Sequence, residues 1–290
     1  IDFMLTVHFT GDKDSPSNGG MANNVIAYRD RVDGEARRDG FLFNRHDAEW
    51  TLGFGDPVDG DTTRRGTCAV SSSNAGLANF NPAALHYELC SNPEYRMLFA
   101  DLVYEHCLRP GGAMTPARCA ERFRSRMAEL DDAIVCEAAR WGASCVTMPD
   151  HELWLTNCQT SVSFIEKRTP YFLKAYRDRK WYPSVDAPTL SKDGEELVDG
   201  NRVKKGAALS LLVPEGATVY YTLDGSDPRQ RGGDLNPTAT VYDADEGLVL
   251  GQNGQFRVNA RARTPKGEWS ALESVLLHVG DRGGTMLLFR

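Results

Sequence analysis

The sequence lacks the short signatures of several common enzyme classes. Its 290 residues contain no Gly-x-Ser-x-Gly, His-Glu-x-x-His, Walker A or dinucleotide-binding glycine pattern, which argues against the usual hydrolases, metalloproteases and nucleotide-binding folds. No apolar run approaches the roughly 18 residues of a transmembrane helix, so no membrane span is expected. The chain also has no excess of positive charge, because its 33 Lys and Arg are outnumbered by 40 Asp and Glu, which gives a formal net charge of −7. Nucleic-acid binding needs clustered cations, so no nucleic-acid partner is expected.

The seven cysteines contain no Cys-x-x-Cys pair, which argues against a zinc cluster of the usual spacing. All seven lie in the first 160 residues, and both buried thiols and disulfides remain open for them. The chain also begins at Ile1 without an initiator Met or the basic-then-apolar order of a signal peptide. That start predicts a processed protein or a fragment of a larger parent protein.

Three regions differ in their hydrophobic period. The first predicts a helix at 2–9, an acidic loop at 12–24, strands at 25–29 and 40–44 around an Asp33-Gly34 turn, and a surface loop at 56–76. The second predicts helices at 82–89, 92–107, 115–141 and 150–176, with Pro170 breaking or kinking the last one. The third follows a linker at Asp186-Ala187-Pro188 and predicts strands at 208–213, 218–223, 256–264 and 273–279. The fold class is therefore α+β, and the strand region has the size of a β-sandwich.

The acidic loop is the first candidate site. A phosphoryl-transfer site needs a carboxylate that orients the attacking hydroxyl and an amide or carboxylate oxygen that binds magnesium. Asp14, with Asn23 or Asn24, provides those groups. The alternative is a surface turn, which uses the same residue types.

The second candidate site is the pair Asp47 and Glu49, at the end of a predicted strand and next to His46. Carboxylates held at a strand end are suited to binding magnesium. The alternative is an ordinary strand end, with His46 as a hydrogen-bonded scaffold residue.

A third candidate lies in the C-terminal region. Asp224 and Asp227 are possible calcium ligands, but a hairpin or corner turn explains them equally well. Tyr220, Tyr221 and Trp269 are a possible aromatic platform for a sugar, whereas cross-strand packing is the alternative.

Several motifs occur in an order that resembles CotH-type proteins, which are atypical secreted protein kinases. The motifs are Ile1-Asp2-Phe3-Met4, Gly11-Asp12-Lys13-Asp14-Ser15-Pro16, Asn23-Asn24, Tyr28-Arg29, Phe41-Leu42-Phe43-Asn44-Arg45-His46-Asp47-Ala48-Glu49 and Glu137-Ala138-Ala139-Arg140-Trp141-Gly142. The resemblance implies that Asp14 is the catalytic base and that ATP is the nucleotide. It also implies that Asp47 is the principal ligand of Mg²⁺ or Mn²⁺, that Asn24 or Asn23 is the amide ligand, and that Glu49 is secondary.

The stretch from Val219 to Arg229 resembles the immunoglobulin-like module at the end of chitobiases and hexosaminidases. Together the two resemblances imply a kinase-like C-lobe at 1–185, an immunoglobulin-like sandwich at 186–280 and a tail at 281–290. They also imply that the N-terminal lobe, which contacts the nucleotide, lies upstream of Ile1. Ser15 and His46 replace two tryptophans of the family pattern.

Two hypotheses follow. In the first, the chain is part of a secreted CotH-like protein whose phosphoryl-transfer site is inactive without its N-terminal lobe. In the second, it is a structural or adhesive extracellular module with a degenerate site, and the sandwich contacts another protein or a cell-surface polymer. Both place the protein outside the cell or on its surface.

Overall fold

The computed structural model describes residues 1–18, 21–29, 40–54, 57–64, 81–144 and 150–280. Within these ranges the protein is α+β, as predicted, and the chain divides into two compact units. The first unit comprises Ile1–Tyr95 and Ala113–Arg179, and the second comprises Arg96–Gly112 and the chain from Lys180 onward. A segment from the middle of the chain therefore belongs to the C-terminal unit, which the sequence pattern did not indicate.

The described helices occupy the regions of helical period. They are α1 (Asp2–Thr10), α2 (Pro82–Leu89), α3 (Pro93–Val103), α4 (Pro116–Trp141), α5 (His151–Lys167) and α6 (Thr169–Asp178). Helix α3 continues into a π-helical turn, Tyr104–Leu108. Pro170 has no N–H to donate, and the predicted break there is confirmed because α5 ends before it and α6 restarts around it.

Two small antiparallel ribbons belong to the first unit. Strand β1 (Ser17–Asn18) pairs with β2 (Met21–Ala22) inside the acidic loop, where the sequence predicted no strand. Strand β3 (Val25–Tyr28) pairs with β4 (Leu42–Arg45), which confirms the predicted hairpin strands. The Asp33-Gly34 turn, Cys68, Cys145 and most of the predicted loop at 56–76 lie outside the described residues. The other five cysteines occur as thiols.

The second unit is sandwich-like. Its strands are β5 (Leu190–Lys192), β6 (Glu195–Glu196), β7 (Arg202–Val203), β8 (Ala208–Leu211), β9 (Thr218–Thr222), β10 (Thr240–Val241), β11 (Leu248–Val249), β12 (Gly254–Arg263) and β13 (Glu273–Val279). One sheet has the order β10-β9-β12-β13-β7 and the other has the order β11-β8-β5-β6. Strand β13 runs parallel to β7, and the other neighbours are antiparallel.

Side chains from both sheets form the sandwich core. Strand β13 alternates strictly, with Val275 and Leu277 fully buried and the residues between them half-buried. They meet Leu190 and Leu209 of the other sheet in one buried cluster. Full burial of such a side chain stabilises the fold by about 1.5–3 kcal/mol. The period of two in the sequence therefore reflects one face directed into this core.

The expected linker is part of the second unit. Ala187 is buried, and the carbonyl oxygen of Pro188 accepts a hydrogen bond from Tyr104 Oη at 3.3 Å. Val185 belongs to the sandwich core. The domain boundary at 185/186 remains a prediction. The compact units divide between Arg179 and Lys180.

Candidate functional site

The candidate site begins where α1 ends. Gly11 terminates the helix with a left-handed φ of 66°. The next residue, Asp12, is completely buried, and its Oδ1 accepts hydrogen bonds from the backbone N–H groups of Asp14 and Ser15, each at 3.0 Å. An Asp that binds the backbone two and three residues ahead fixes the path of the loop. The position of Asp14 is therefore set by a buried neighbour that the sequence analysis did not single out.

Arg45, the last residue of β4, pairs with the buried Asp12. Its Nη2 donates to Asp12 Oδ2, and its Nη1 donates to Thr10 Oγ1 at 3.1 Å. A buried carboxylate without a partner would be strongly destabilising. This pair therefore joins the end of the hairpin to the end of α1. The signal in the sequence was an Arg directly before His46-Asp47, which composition alone does not distinguish from an exposed cation.

Asn24 connects the two acidic segments that were predicted as separate sites. Its Nδ2 donates to Asp14 Oδ2 at 2.7 Å and to the backbone oxygen of Asp47 at 3.2 Å. Asn24 and Asp47 have positive φ angles of 50° and 49°. Asn and Asp are enriched in this conformation because their short polar side chains tolerate it. The structure thus brings Asp14, Asn24 and the Asp47 backbone into one cluster.

Asn23 and Glu49 are placed differently. The Nδ2 of Asn23 donates to the backbone oxygen of Asp14 at 3.0 Å, so this amide shapes the loop. Glu49 is exposed, as is the side chain of Asp47. Of the two asparagines proposed from the sequence, Asn24 is the one that contacts the Asp14 carboxylate.

Phe164 packs closely against two glycines on either side of the candidate site. A Cβ on Gly11 would lie 2.9 Å from Phe164 Cζ, and one on Gly53 would lie 3.4 Å from Phe164 Cδ2. The chain after Asp47 is tied back by the Leu52 N–H, which donates to the Thr10 oxygen at 2.8 Å. Both ends of the cluster are therefore fixed against the same helix end.

The cluster supplies oxygen ligands. In the part of the chain that the structure describes, no group of three or more His, Cys, Asp or Glu side chains is arranged to hold a metal ion. The oxygen-bearing side chains in and next to the cluster are the Asp14 carboxylate, which accepts from Asn24 Nδ2, the exposed carboxylate of Asp47 and the Asn24 amide. Mg²⁺ keeps several waters and often takes only one or two carboxylates from the protein. Carboxylate and amide oxygens are ligand types that Mg²⁺ takes from proteins.

The C-terminal candidates have other roles. Asp227 accepts from Arg261 Nε and Nη2, both at 2.7 Å, and Asp224 Oδ1 accepts from the N–H and Oγ of Ser226 at 2.9 and 2.6 Å. The Asp224 contacts within the turn are those that the turn interpretation predicted. Trp269 is 3% exposed and its ring centroid lies 5.7 Å from that of Tyr220, so the packing interpretation is confirmed over the sugar platform.

Comparison with known proteins finds a family match for part of the second unit. A family model described as Fn3 associated matches residues 210–272, a segment within the sandwich that covers well under half of the chain. The match gives this unit an immunoglobulin- or fibronectin-like context. No curated protein and no solved structure matches the chain significantly. None of the described helices has the length and apolar character needed to cross a bilayer.

Proposed function

We propose that the first unit carries a divalent-cation site of the phosphoryl-transfer type. Asp14 orients a hydroxyl acceptor as catalytic base, Asp47 is the principal ligand of Mg²⁺ or Mn²⁺, and Asn24 is the amide ligand, with Glu49 in a secondary position. The observation that supports the proposal is the Asn24 amide, whose Nδ2 donates to the Asp14 carboxylate and to the backbone oxygen of Asp47. Phosphoryl transfer depends on positioning and electrostatics, and a base next to an amide and a carboxylate ligand is its usual arrangement.

The CotH-type resemblance supplies the reaction class and the nucleotide, ATP. In that family, nucleotide positioning belongs to an N-terminal lobe. The proposal for the present chain is therefore cation binding, and phosphate transfer when that lobe is joined to it. Cation binding is the part that the purified chain can test directly.

Mn²⁺ binding, followed by electron paramagnetic resonance and titration calorimetry, tests the assignment. Asp47→Asn removes one charged oxygen ligand, and we expect at least a tenfold loss of affinity, about 1.4 kcal/mol. Glu121→Gln removes an exposed carboxylate on α4 and serves as the matched control. If Asp47→Asn binds Mn²⁺ as tightly as the unaltered protein, Asp47 is not the ligand.

A second function is favoured by the family match at 210–272. In this proposal the second unit is a structural or adhesive extracellular module that contacts another protein or a cell-surface polymer. Co-sedimentation with insoluble cell-wall polymer tests it, and Asp47→Asn should sediment like the unaltered chain because the change lies in the other unit. A chain that stays in solution with every polymer would refute polymer adhesion.

A further inference from the structure

Two histidines lie in contact inside the first unit, and the proposed site uses neither. His8 on α1 is 1% exposed and His86 on α2 is 3% exposed. Their ring centroids are 5.7 Å apart and the rings meet edge to face at 62°. His8 stands in the last turn of the helix that leads directly into Asp12 and Asp14. The histidine pair therefore lies at the end of α1 that immediately precedes the candidate site.

His8 is fixed through both its ring and its backbone. Its Nδ1 lies 2.9 Å from Tyr176 Oη on α6. Its backbone oxygen accepts hydrogen bonds from Arg168 Nη2 and Thr62 Oγ1, both at 3.0 Å. This residue thus joins α1 to α6 and to the short 3₁₀ turn at Thr62.

The charged groups facing His8 are positive. Arg168 is 1% exposed, and Arg179 also acts electrostatically on the imidazole. Arg179 is itself paired with a carboxylate, because Asp61 Oδ2 lies 3.8 Å from its Nη2. A proton on His8 would add a further positive charge beside two guanidinium groups and away from water.

His86 has neutral partners. Its Nδ1 lies 2.8 Å from Tyr95 Oη, and its Nε2 lies 3.6 Å from the thiol of Cys90. His8 is a further titratable group that faces it. None of these partners is a carboxylate whose negative charge would offset a proton on the imidazole.

Both rings therefore stay neutral in the folded protein. Burial is the main cause that lowers the pKa of His86 to about 3, and burial together with His86, Arg168 and Arg179 lowers the pKa of His8 well below its usual range. An unfolded histidine takes up its proton near pH 6.5. Because the folded pKa values are lower, the stability that these rings contribute is complete above about pH 6.5 and is lost as the pH falls.

The geometry points to an acid-sensitive latch, in which the neutral His8–His86 pair holds α1 against α2 and α6 and acid releases α1 together with the Asp12–Asp14 loop. The latch itself needs only the fold. Its consequence for cation binding rests on the proposed function, because the released loop carries Asp14. A chain exposed to mild acid would then lose the candidate site before the rest of its structure.

Hydrogen exchange of α1 between pH 7.5 and 5.0, corrected for intrinsic exchange, tests the latch. Two protons taken up only in the open form raise the opening constant by two to three orders of magnitude, roughly 900-fold, over this interval. His8→Gln and His86→Gln should each reduce that change to about 30-fold, since one titrating group remains. His278→Gln, on β13 of the second unit, is the matched control and should retain the full change.

A measurement on the unaltered chain covers the case in which a glutamine variant does not fold. In NMR titration the imidazole signals of His8 and His86 should show no protonation down to pH 5 while the chain is folded. Titration of both rings above pH 5.5 in the folded protein would overturn the latch, as would α1 exchange that does not change with pH. Absence of Mn²⁺ binding at pH 7.5 would refute the cation site and leave the latch standing.

Discussion

The two units each bury basic side chains, but in different charge states. The first buries His8 and His86 as neutral rings, and the positive neighbours Arg168 and Arg179 act on His8. The second buries Arg261 to the same degree but keeps it charged between Asp101 and Asp227. A buried neutral base is stable only while the solution leaves it neutral, whereas a paired charge persists over a wide pH range. The comparison shows that one chain can bury a basic group either as a neutral ring or as a paired charge.

Glu273 extends the contrast within the second unit. It is 1% exposed, and burial raises its pKa to about 7 although Arg109 Nε lies 3.8 Å from its Oε2. Because the folded pKa exceeds the unfolded one, the stability from this group is complete below about pH 4.5 and is lost as the pH rises through about 7. The histidines give the opposite dependence. Acid should therefore remove the stability contributed by the two histidines of the first unit and restore the stability contributed by Glu273 in the second.

Loss of Arg261 should produce the largest effect. Arg261→Met leaves the carboxylates of Asp101 and Asp227 facing each other without their shared cation, and we expect a loss of about 3–5 kcal/mol in the free energy of unfolding of the second unit. Denaturant unfolding of the second unit, monitored through hydrogen exchange of the β12 amides, measures this loss. Arg257→Met changes an exposed residue on the same strand and should cost within about 0.5 kcal/mol. Equal losses in both variants would show that the buried pairing has no special weight.

The next largest effect is the pH dependence carried by Glu273. In the unaltered chain this residue should lower the stability of the second unit by up to about 3 kcal/mol between pH 4.5 and 7, and Glu273→Gln should remove that decline. Unfolding of the second unit measured at half-unit pH steps provides the comparison. Glu215→Gln, an exposed position in the same unit, should keep the decline. A decline that persists in Glu273→Gln would assign it to another group and weaken the contrast between the units.

Gly11 offers a smaller effect confined to the first unit. Gly11 has a φ of 66°, and a Cβ added there would lie 2.9 Å from Phe164 Cζ. Gly11→Ala should therefore lower the free energy of unfolding of the first unit by about 2 kcal/mol, partly because of the left-handed backbone and partly because of crowding. Gly216→Ala is matched, because its φ is 71° but nothing lies within 4 Å of the added Cβ. It should therefore cost only the backbone part, about 1 kcal/mol, in the second unit. Equal losses would mean that Phe164 yields without cost and does not fix the site loop.

Local features of the fold were predictable because their causes lie within one turn of the chain. The Asn81-Pro82 and Asp150 starts, the break at Pro170 and the alternation along β13 all act over a few residues. Contacts over long separations were not. The assignment of 96–112 to the second unit includes the Arg261–Asp101 pair, which joins residues 160 positions apart.

The candidate site shows the same limit. Composition indicated Asp14 and Asp47 as carboxylates with a polar loop around them, and the resemblance assigned their roles. No spacing in the sequence indicates that Arg45 pairs with the buried Asp12 and holds these segments together. Asp and Arg also occur at exposed loops and strand ends, so their identity does not reveal the pair. The choice between Asn23 and Asn24 as the residue that contacts Asp14 likewise required the hydrogen bonds.

The helix cap of Asp150 should give the smallest effect. Its Oδ1 accepts from the Leu153 N–H at 2.8 Å at an exposed position, and Asp150→Ala should cost about 1 kcal/mol in the first unit because water partly replaces the lost partner. Asp132→Ala removes an exposed carboxylate from the interior of α4 and should stay within about 0.5 kcal/mol. Denaturant unfolding at pH 7.5, where the histidines contribute fully, separates the two. A loss for Asp150→Ala as large as that for Arg261→Met would mean that exposed caps in the first unit matter as much as buried charges in the second, and the contrast between the units would then not rest on burial.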